Sequence, residues 1–249
     1  MTENVIEIKG LEMHFGGVKA LRGVDMQIPR GKVTAIIGDN GAGKSTLIKC
    51  ISGIYQPTHG EILINGQSVE ITSPISARNQ GIETVYQDLA VIDTLTVTEN
   101  LYLSREIRKG IWPIKLLDKK KMLVGAAEMM ERIGNTTTRL TNEIGYMSGG
   151  QRQAVAISRA VGWGAKVIIF DEPTAALGVK ESAEVALLIS RLKAQGITVI
   201  IISHNFEEVL TLADLVWVMR QGKAIASREA SEVSGRDLVA LLTGAEAAQ

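Results

Sequence analysis

The sequence predicts an α/β fold in which a largely parallel, helix-covered sheet carries an antiparallel β-layer in front and a helical insertion in the middle. Three observations lead there. A glycine-rich loop at residues 38–46 lies between an apolar β-branched run and an apolar helical stretch. After residue 162, short apolar runs alternate with helical periodicity, the pattern of right-handed crossovers between parallel strands. From Leu95 to about Gly162 the strand signals vanish and helical spacing replaces them.

In chain order, residues 5–9, 11–15 and 24–28 read as strands broken by Gly10, Gly16-Gly17 and Pro29. Residues 33–37 are the strand feeding the loop. Residues 61–64 followed by Asn65-Gly66 form a hairpin signal, which places an antiparallel layer around that strand. Ser73-Pro74 opens a short helix to Gln80, and residues 82–86 make a strand ending at Gln87. The helical stretch holds segments 96–103, 118–133 and 149–161, with Met122, Ala126, Met129 and Ile133 on one face. Met129-Met130 reads as core packing. Residues 166–170, 197–202 and 215–219 then read as strands, with helices at 179–194 and 206–212. The tail 245–249 is expected to fray.

The loop reads Gly38, Asp39, Asn40, Gly41, Ala42, Gly43, Lys44, Ser45, Thr46 and matches the phosphate-binding pattern of glycine, four residues, then glycine-lysine-serine. Glycines let main-chain N–H groups approach an anion, and the helix starting near Lys44 adds free donors and a positive dipole end. Lys44 is expected to reach the β- and γ-phosphates of a nucleotide, and the Ser45 hydroxyl to hold Mg2+. A second strand must deliver a carboxylate beside the metal. Val167-Ile168-Ile169-Phe170-Asp171-Glu172 supplies two at the carboxyl end of an apolar strand. Asp171 is expected at the metal, and Glu172 at the attacking water as its base. His204 ends the next apolar strand, where γ-phosphate and Glu172 would be its neighbours. Ser148, Gly149, Gly150 and Gln151 start a helix with a capping serine and room for a phosphate. This second anion site suggests use in trans, with one copy capping nucleotide held by another.

Lysine plus arginine and aspartate plus glutamate number 27 each, so formal net charge is zero and the basic footprint of a nucleic-acid binder is absent. Asp118-Lys119-Lys120-Lys121 reads as a solvated helix start. Cys50, the one cysteine, reads as core filler in a reducing compartment. The start is polar and acidic without a leader pattern, and no apolar run reaches the ~18 residues of a spanning helix. A cytoplasmic protein that meets the membrane through a partner is the expectation. Phe15, taken alone, reads as a packed strand residue. His14 and His59 receive no role.

The set Gly38–Ser45, Gln87, Met147–Gln151, Val167–Glu172 and His204, in its order and spacing, resembles the ATP-binding cassette (ABC) ATPase family across nearly the whole chain. The resemblance implies one ABC ATPase domain over 1–249, with the β-layer and P-loop α/β core at 1–88 and 163–249 and a helical signature subdomain at 89–162. It makes Phe15 the aromatic stacking on adenine, reversing the reading above. It makes Gln87 a switch residue touching Mg2+ and water, with Ser45 and Asp171 as the other metal ligands. It implies ATP-dependent head-to-tail pairing with a second copy, contacted through Ser148, Gly150 and Gln151. Ile82-Glu83-Thr84-Val85-Tyr86-Gln87 and the run from Asp171-Glu172-Pro173-Thr174 to Lys180-Glu181-Ser182 look like the ATPase subunits of bacterial sugar importers of the ribose, xylose and fructose group.

That likeness implies integral membrane permease subunits as partners, docking near Gln87 and residues 89–102, with a solute-binding protein acting indirectly. The chain would then sit on the inner face of the cell membrane. Met147 stands where the family has leucine, and Gly178 where it has aspartate, which puts in question how the two sites of a dimer communicate. The alternatives are a soluble cassette ATPase acting on nucleic acid or ribosomes, an importer subunit for a non-sugar solute, and a regulator that binds nucleotide without hydrolysis. Neutral charge and a single cassette stand against the first, and Glu172 and His204 against the last.

Overall fold

The computed structural model describes residues 3–110, 115–136, 138–175 and 177–244. Ala176 and the expected frayed tail at 245–249 lie outside the described residues. Strands β1 (Asn4–Phe15) and β2 (Val18–Pro29) form a long hairpin, followed by β3 (Val33–Gly38) and helix α1 (Lys44–Ile51). Then come β4 (His59–Ile64), β5 (Gln67–Val69), α2 (Pro74–Asn79) and β6 (Ile82–Val85). The middle holds α3 (Val97–Leu101), β7 (Arg108–Lys109), β8 (Leu116–Leu117), α4 (Lys119–Arg132) and α5 (Gly149–Gly162). The chain closes with β9 (Val167–Asp171), α6 (Val179–Ala194), β10 (Thr198–Ile202), α7 (Phe206–Leu212), β11 (Leu215–Arg220), β12 (Lys223–Glu229) and α8 (Gly235–Thr243).

Six strands make one sheet in the order β12-β11-β3-β10-β9-β6, parallel except for the antiparallel edge strand β12. Its central strands are buried on both faces, as expected for a helix-covered parallel sheet. Alternate residues point to opposite layers. Val167, Ile169, Ile200 and Ile202 join the cluster containing α1 and the four-stranded antiparallel sheet β2-β1-β4-β5. Ile168, Phe170, Val199 and Ile201 join the cluster formed with α5 and α6. Cys50 lies in the first of these clusters, and burial pushes its thiol up to about 11.

Several expectations change here. The antiparallel layer does not surround the phosphate-loop strand; it is a separate sheet, and β3 belongs to the parallel one. Gly10 does not end a strand. It sits at an irregularity between Ile8 and Leu11 with its N–H donating to Asp25 Oδ1 (2.8 Å), so β1 runs on through a bulge. The second strand begins at Val18 rather than Val24, and the final pair β12 and α8 had no counterpart in the sequence reading. The helical middle also contains the short β7-β8 ladder. Its Met122, Ala126, Met129 and Ile133 are buried as the spacing predicted.

The start of β3 is pinned by Asp214. One oxygen accepts the Val33 N–H at 2.9 Å, and the other lies 2.7 Å from Lys193 Nζ. Burial acts against the charge, but the bonds from Lys193 and Val33 outweigh it and hold the carboxyl below its ordinary 3.8. Its stabilisation is therefore complete above that value and disappears as pH falls through the lower folded value. Asp214→Asn should cost about 1–2 kcal/mol at neutral pH, read as a lower thermal midpoint. The gap to the unaltered protein should narrow below about pH 4; a gap independent of pH would rule out this role for the charge.

Candidate functional site

The strand order decides where the polar residues fall. Neighbouring parallel strands β3, β10, β9 and β6 end at Gly38, Ile202, Asp171 and Val85, and the register pairs Ile202 with Asp171 and Val85 with Phe170. The loop 38–46, Ser203-His204, Asp171-Glu172 and Tyr86-Gln87 thus all leave the carboxyl edge of one sheet, where ligands collect in such folds.

The loop is wrapped tightly around its own helix start. Gly43 has φ 101°, and a Cβ there would meet Ala20 O at 2.9 Å and Leu21 Cδ2 at 3.0 Å. At Gly38 a Cβ would press on the Met219 carbonyl. Only glycine fits either place. The Ala42 carbonyl accepts from Gly222 N–H at 3.0 Å, so the β11–β12 turn braces the loop from behind. Helix α1 has no side-chain cap, which leaves first-turn N–H groups available to an anion. Ser45 is exposed beside them. Lys44 is buried, and its Nζ donates to the carbonyls of Gly38 (2.6 Å) and Asp39 (3.0 Å). Burial lowers its proton affinity, and the charges of Glu172, Asp39 and Asp171 oppose that shift.

Asp171 is shifted the other way. Burial and the adjacent Glu172 raise its carboxyl above the ordinary range, while Lys49 and Lys44 counteract them. Glu172 occupies the left-handed region at φ 51°, a conformation costing about 1–3 kcal/mol for a residue with a side chain. Its N–H donates to the Ile202 carbonyl at 2.9 Å, and its Oε1 lies 3.2 Å from His204 Nδ1. His204 is otherwise exposed. These contacts bring Lys44, Asp171, Glu172 and His204 into one electrostatic group.

The other predicted residues lie around this group. Gln87 is exposed in the turn after β6. Beyond it Leu89 and Ala90 have positive φ, and their carbonyls accept from the Arg159 guanidinium of α5 at 3.2 and 3.0 Å. The Gln87 turn is thus fastened to the helix that Ser148 starts. Phe15 is 42% exposed at the tip of β1, edge-on to Tyr55 at 5.1 Å between centroids, with Lys49 Nζ 5.4 Å above the Tyr55 ring. Phe15 thus ends the strand with its ring against Tyr55 but is not buried.

Ser148 caps α5 through a reciprocal box with Gln151, at 3.1 and 3.4 Å. Arg152 fastens the turn before it by donating to the carbonyls of Met147 and Gly145 and to Asp93. Gly149 and Gly150 pack on α6 and the residues before it: added Cβ atoms would meet Leu177 Cδ2 at 2.5 Å and Glu184 Oε2 at 3.2 Å. Among the described residues, no hydrogen bond joins Ser148–Gln151 to the loop 38–46 of the same chain. Lys49, Tyr55, Gly222 and Glu208 were missed by the sequence reading. Only Gly222 had a usable signal, in the Gln221-Gly222 pair that follows the apolar run 215–219.

Oxygen donors at Ser45, Asp171 and Gln87 suit a hard cation. A carboxyl already raised by burial and by a like-charged neighbour is a site where such a cation relieves strain.

Residues 21–175 match the family described as ABC transporter. The chain is 42% identical to the xylose/arabinose import ATP-binding protein XylG of Sulfolobus acidocaldarius, covering 96% of this chain and 94% of that one. It is 42% identical to the fructose import ATP-binding protein FrcA of Rhizobium meliloti, covering 98% and 95%. The ribose import ATP-binding protein RbsA 1 of Rubrobacter xylanophilus is 40% identical over 96% of this chain but only 47% of its own length. Among solved structures, the ADP conformation of the ATP-binding cassette MJ1267 superposes with a TM-score of 0.84 at 30% identity, covering 98% of this chain and 100% of that one.

The raised Asp171 carboxyl makes a prediction for the free protein. Its charge is a burden above the folded value and none below an ordinary carboxyl's 3.8. Asp171→Asn should raise the nucleotide-free thermal midpoint at neutral pH by a few degrees, at ~2–4 °C for each kcal/mol released. Calorimetry showing an unchanged or lower midpoint would remove the like-charge strain from the account.

Proposed function

The chain belongs to the ABC transporter family as an ATP-binding, ATP-hydrolysing subunit, and from that premise we propose that it powers the import of a sugar through membrane permease subunits. The observation that carries the chemistry is the group at the sheet edge: Lys44 within Coulomb reach of Asp171 and Glu172, with Glu172 3.2 Å from His204.

In this reading the loop Gly38–Thr46 cradles the phosphates of ATP with its N–H groups. Lys44 leaves the Gly38 and Asp39 carbonyls for the β- and γ-phosphates. Ser45, Asp171 and Gln87 hold Mg2+, which neutralises charge on the phosphate oxygens when bound. Glu172 accepts a proton from water as that water's oxygen bonds to the γ-phosphorus, and the bond from phosphorus to the ADP oxygen breaks. His204 orients Glu172 and faces the γ-phosphate. Phe15, at the exposed tip of β1, offers its ring to adenine.

Ser148, Gly149, Gly150 and Gln151 complete the site of a second copy. The absence of any bond from them to their own loop, among the described residues, supports that use in trans. The helical subdomain at 89–162 has its own apolar cluster around Leu101, Met122 and Met130, which supports its treatment as a unit separate from 1–88 and 163–249. The Gln87 turn, bonded to α5 through Arg159, is the place where permease contact would reach the nucleotide. No described helix is long and apolar enough to cross a membrane; in this reading attachment to the inner face runs through the permease, with a solute-binding protein delivering sugar.

Glu172→Gln should keep ATP affinity, lose turnover by about 100- to 10,000-fold, and dimerise with ATP in light scattering while the unaltered protein hydrolyses ATP. Normal turnover in the variant would remove Glu172 as the base. A variant that binds ATP yet stays monomeric would remove Ser148–Gln151 from the partner's site.

A further inference from the structure

Glu208 lies outside the chemistry above, yet its carboxylate spans the two strand ends that carry it. Ser203, only 3% exposed, donates its hydroxyl to Glu208 Oε2 at 2.8 Å and accepts the Asn205 N–H at 3.0 Å. Thr174 Oγ1 lies 2.9 and 3.0 Å from the two Glu208 oxygens, so its proton is shared between them. Thr174 follows Glu172 by two residues, and Ser203 immediately precedes His204.

The carboxylate itself is held from the core side. Asn205 accepts the N–H groups of Glu207 and Glu208, which fixes the first turn of α7, and the next residue, Val209, is fully buried. Among the described residues, hydroxyl groups and no cation meet the carboxylate. Hydroxyl–carboxylate bonds are short and directional. They suit fixing two loops better than balancing charge.

We propose that Glu208 is a positioning residue for ATP hydrolysis: by bridging Thr174 and Ser203 it holds Glu172 and His204 in the geometry that water attack requires. The proposal rests on the assignment of Glu172 as the base. Glu172 needs such holding because its left-handed backbone persists only where surrounding contacts over-determine it. Its links to Ile202 and His204 fix Glu172 itself. The Glu208 bridge fixes the loops beyond.

A merely structural brace for α7 would change stability and leave the kinetics of folded protein alone. The test is steady-state ATPase activity of Glu208→Ala and Glu208→Gln, beside Glu172→Gln and His204→Ala, with equilibrium binding of a fluorescent ATP analogue. We expect kcat of Glu208→Ala to fall about 10- to 100-fold, as small displacements of reacting groups do. KM and analogue affinity should stay within about twofold. Glu208→Gln should recover part of the loss, since its amide oxygen still accepts one hydroxyl. The double variant with His204→Ala should lose little more than His204→Ala alone.

A kcat within about twofold of the unaltered protein, or an affinity loss matching the loss in kcat, overturns the proposal. Should Glu208→Ala not fold, Thr174→Val and Ser203→Ala each remove one arm. A lowered kcat at unchanged KM supports the bridge, and unaltered kcat in both overturns it. Normal turnover in Glu172→Gln overturns the base assignment and the bridge together. A silent Glu172→Gln beside an unimpaired Glu208→Ala overturns the bridge alone.

Discussion

Two successive carboxylates at the end of a buried strand repel each other, and the site is built around that repulsion. Asp171 is raised by burial and by Glu172, and the relief comes from Lys44 and Lys49, both carried by α1. Helix α1 can offer them because β3, which leads into it, lies beside β10, and β10 beside β9. Moving any one of these strands would leave two acids without a cation, or a buried lysine without an anion. The free protein holds this arrangement at a cost to its own stability, which is the usual relation between a preorganised site and the fold that carries it.

Local chemistry made much of this readable. Asn65-Gly66 set a hairpin, Ser73-Pro74 and Asp118 started helices, and Ser148 started α5, because turn and cap residues act on backbone groups a few positions away. The apolar run before Asp171 was equally clear, since a strand buried on both faces must be continuously apolar. Gly10 misled because a bulge and a strand end share the same local signal; only the partner strand β2 distinguishes them. β12 is a half-exposed edge strand of mixed polarity, and so carries neither a clean alternation nor an apolar run. Lys49, Tyr55 and Glu208 gain their meaning from residues far along the chain, through contacts between elements that no spacing rule encodes. Phe15 was misjudged from composition alone, since aromatic residues usually seek burial and this one stands at a hairpin tip.

Gly178 and Met147, the two expected departures from the family pattern, are accommodated locally within the chain. Gly178 lacks the side chain that an aspartate would offer at the start of α6, but its N–H donates to Glu181 Oε2 at 3.1 Å, so that helix still has an acidic partner in its first turn. Leu177, just before it, touches Gly149 within the same chain. The loop after Glu172 and the start of α5 are therefore in direct contact without the aspartate. Met147 packs against the apolar cluster of the helical segment, where its volume serves much as leucine would.

Helix α5 belongs to two interiors at once. Val155 sits in the cluster of α3 and α4, while Ala154, Ala156, Ile157, Ala160 and Val161 sit in the cluster beneath the sheet. Three of the five residues on the sheet side are alanines, which present shallow ridges and interlock little with their neighbours. Such a surface would offer little resistance to sliding. Small translations along it would break few interdigitated contacts, the condition for one packed segment to slide on another. Because Arg159 on the same helix holds the Leu89 and Ala90 carbonyls, such a slide would pull the Gln87 turn with it.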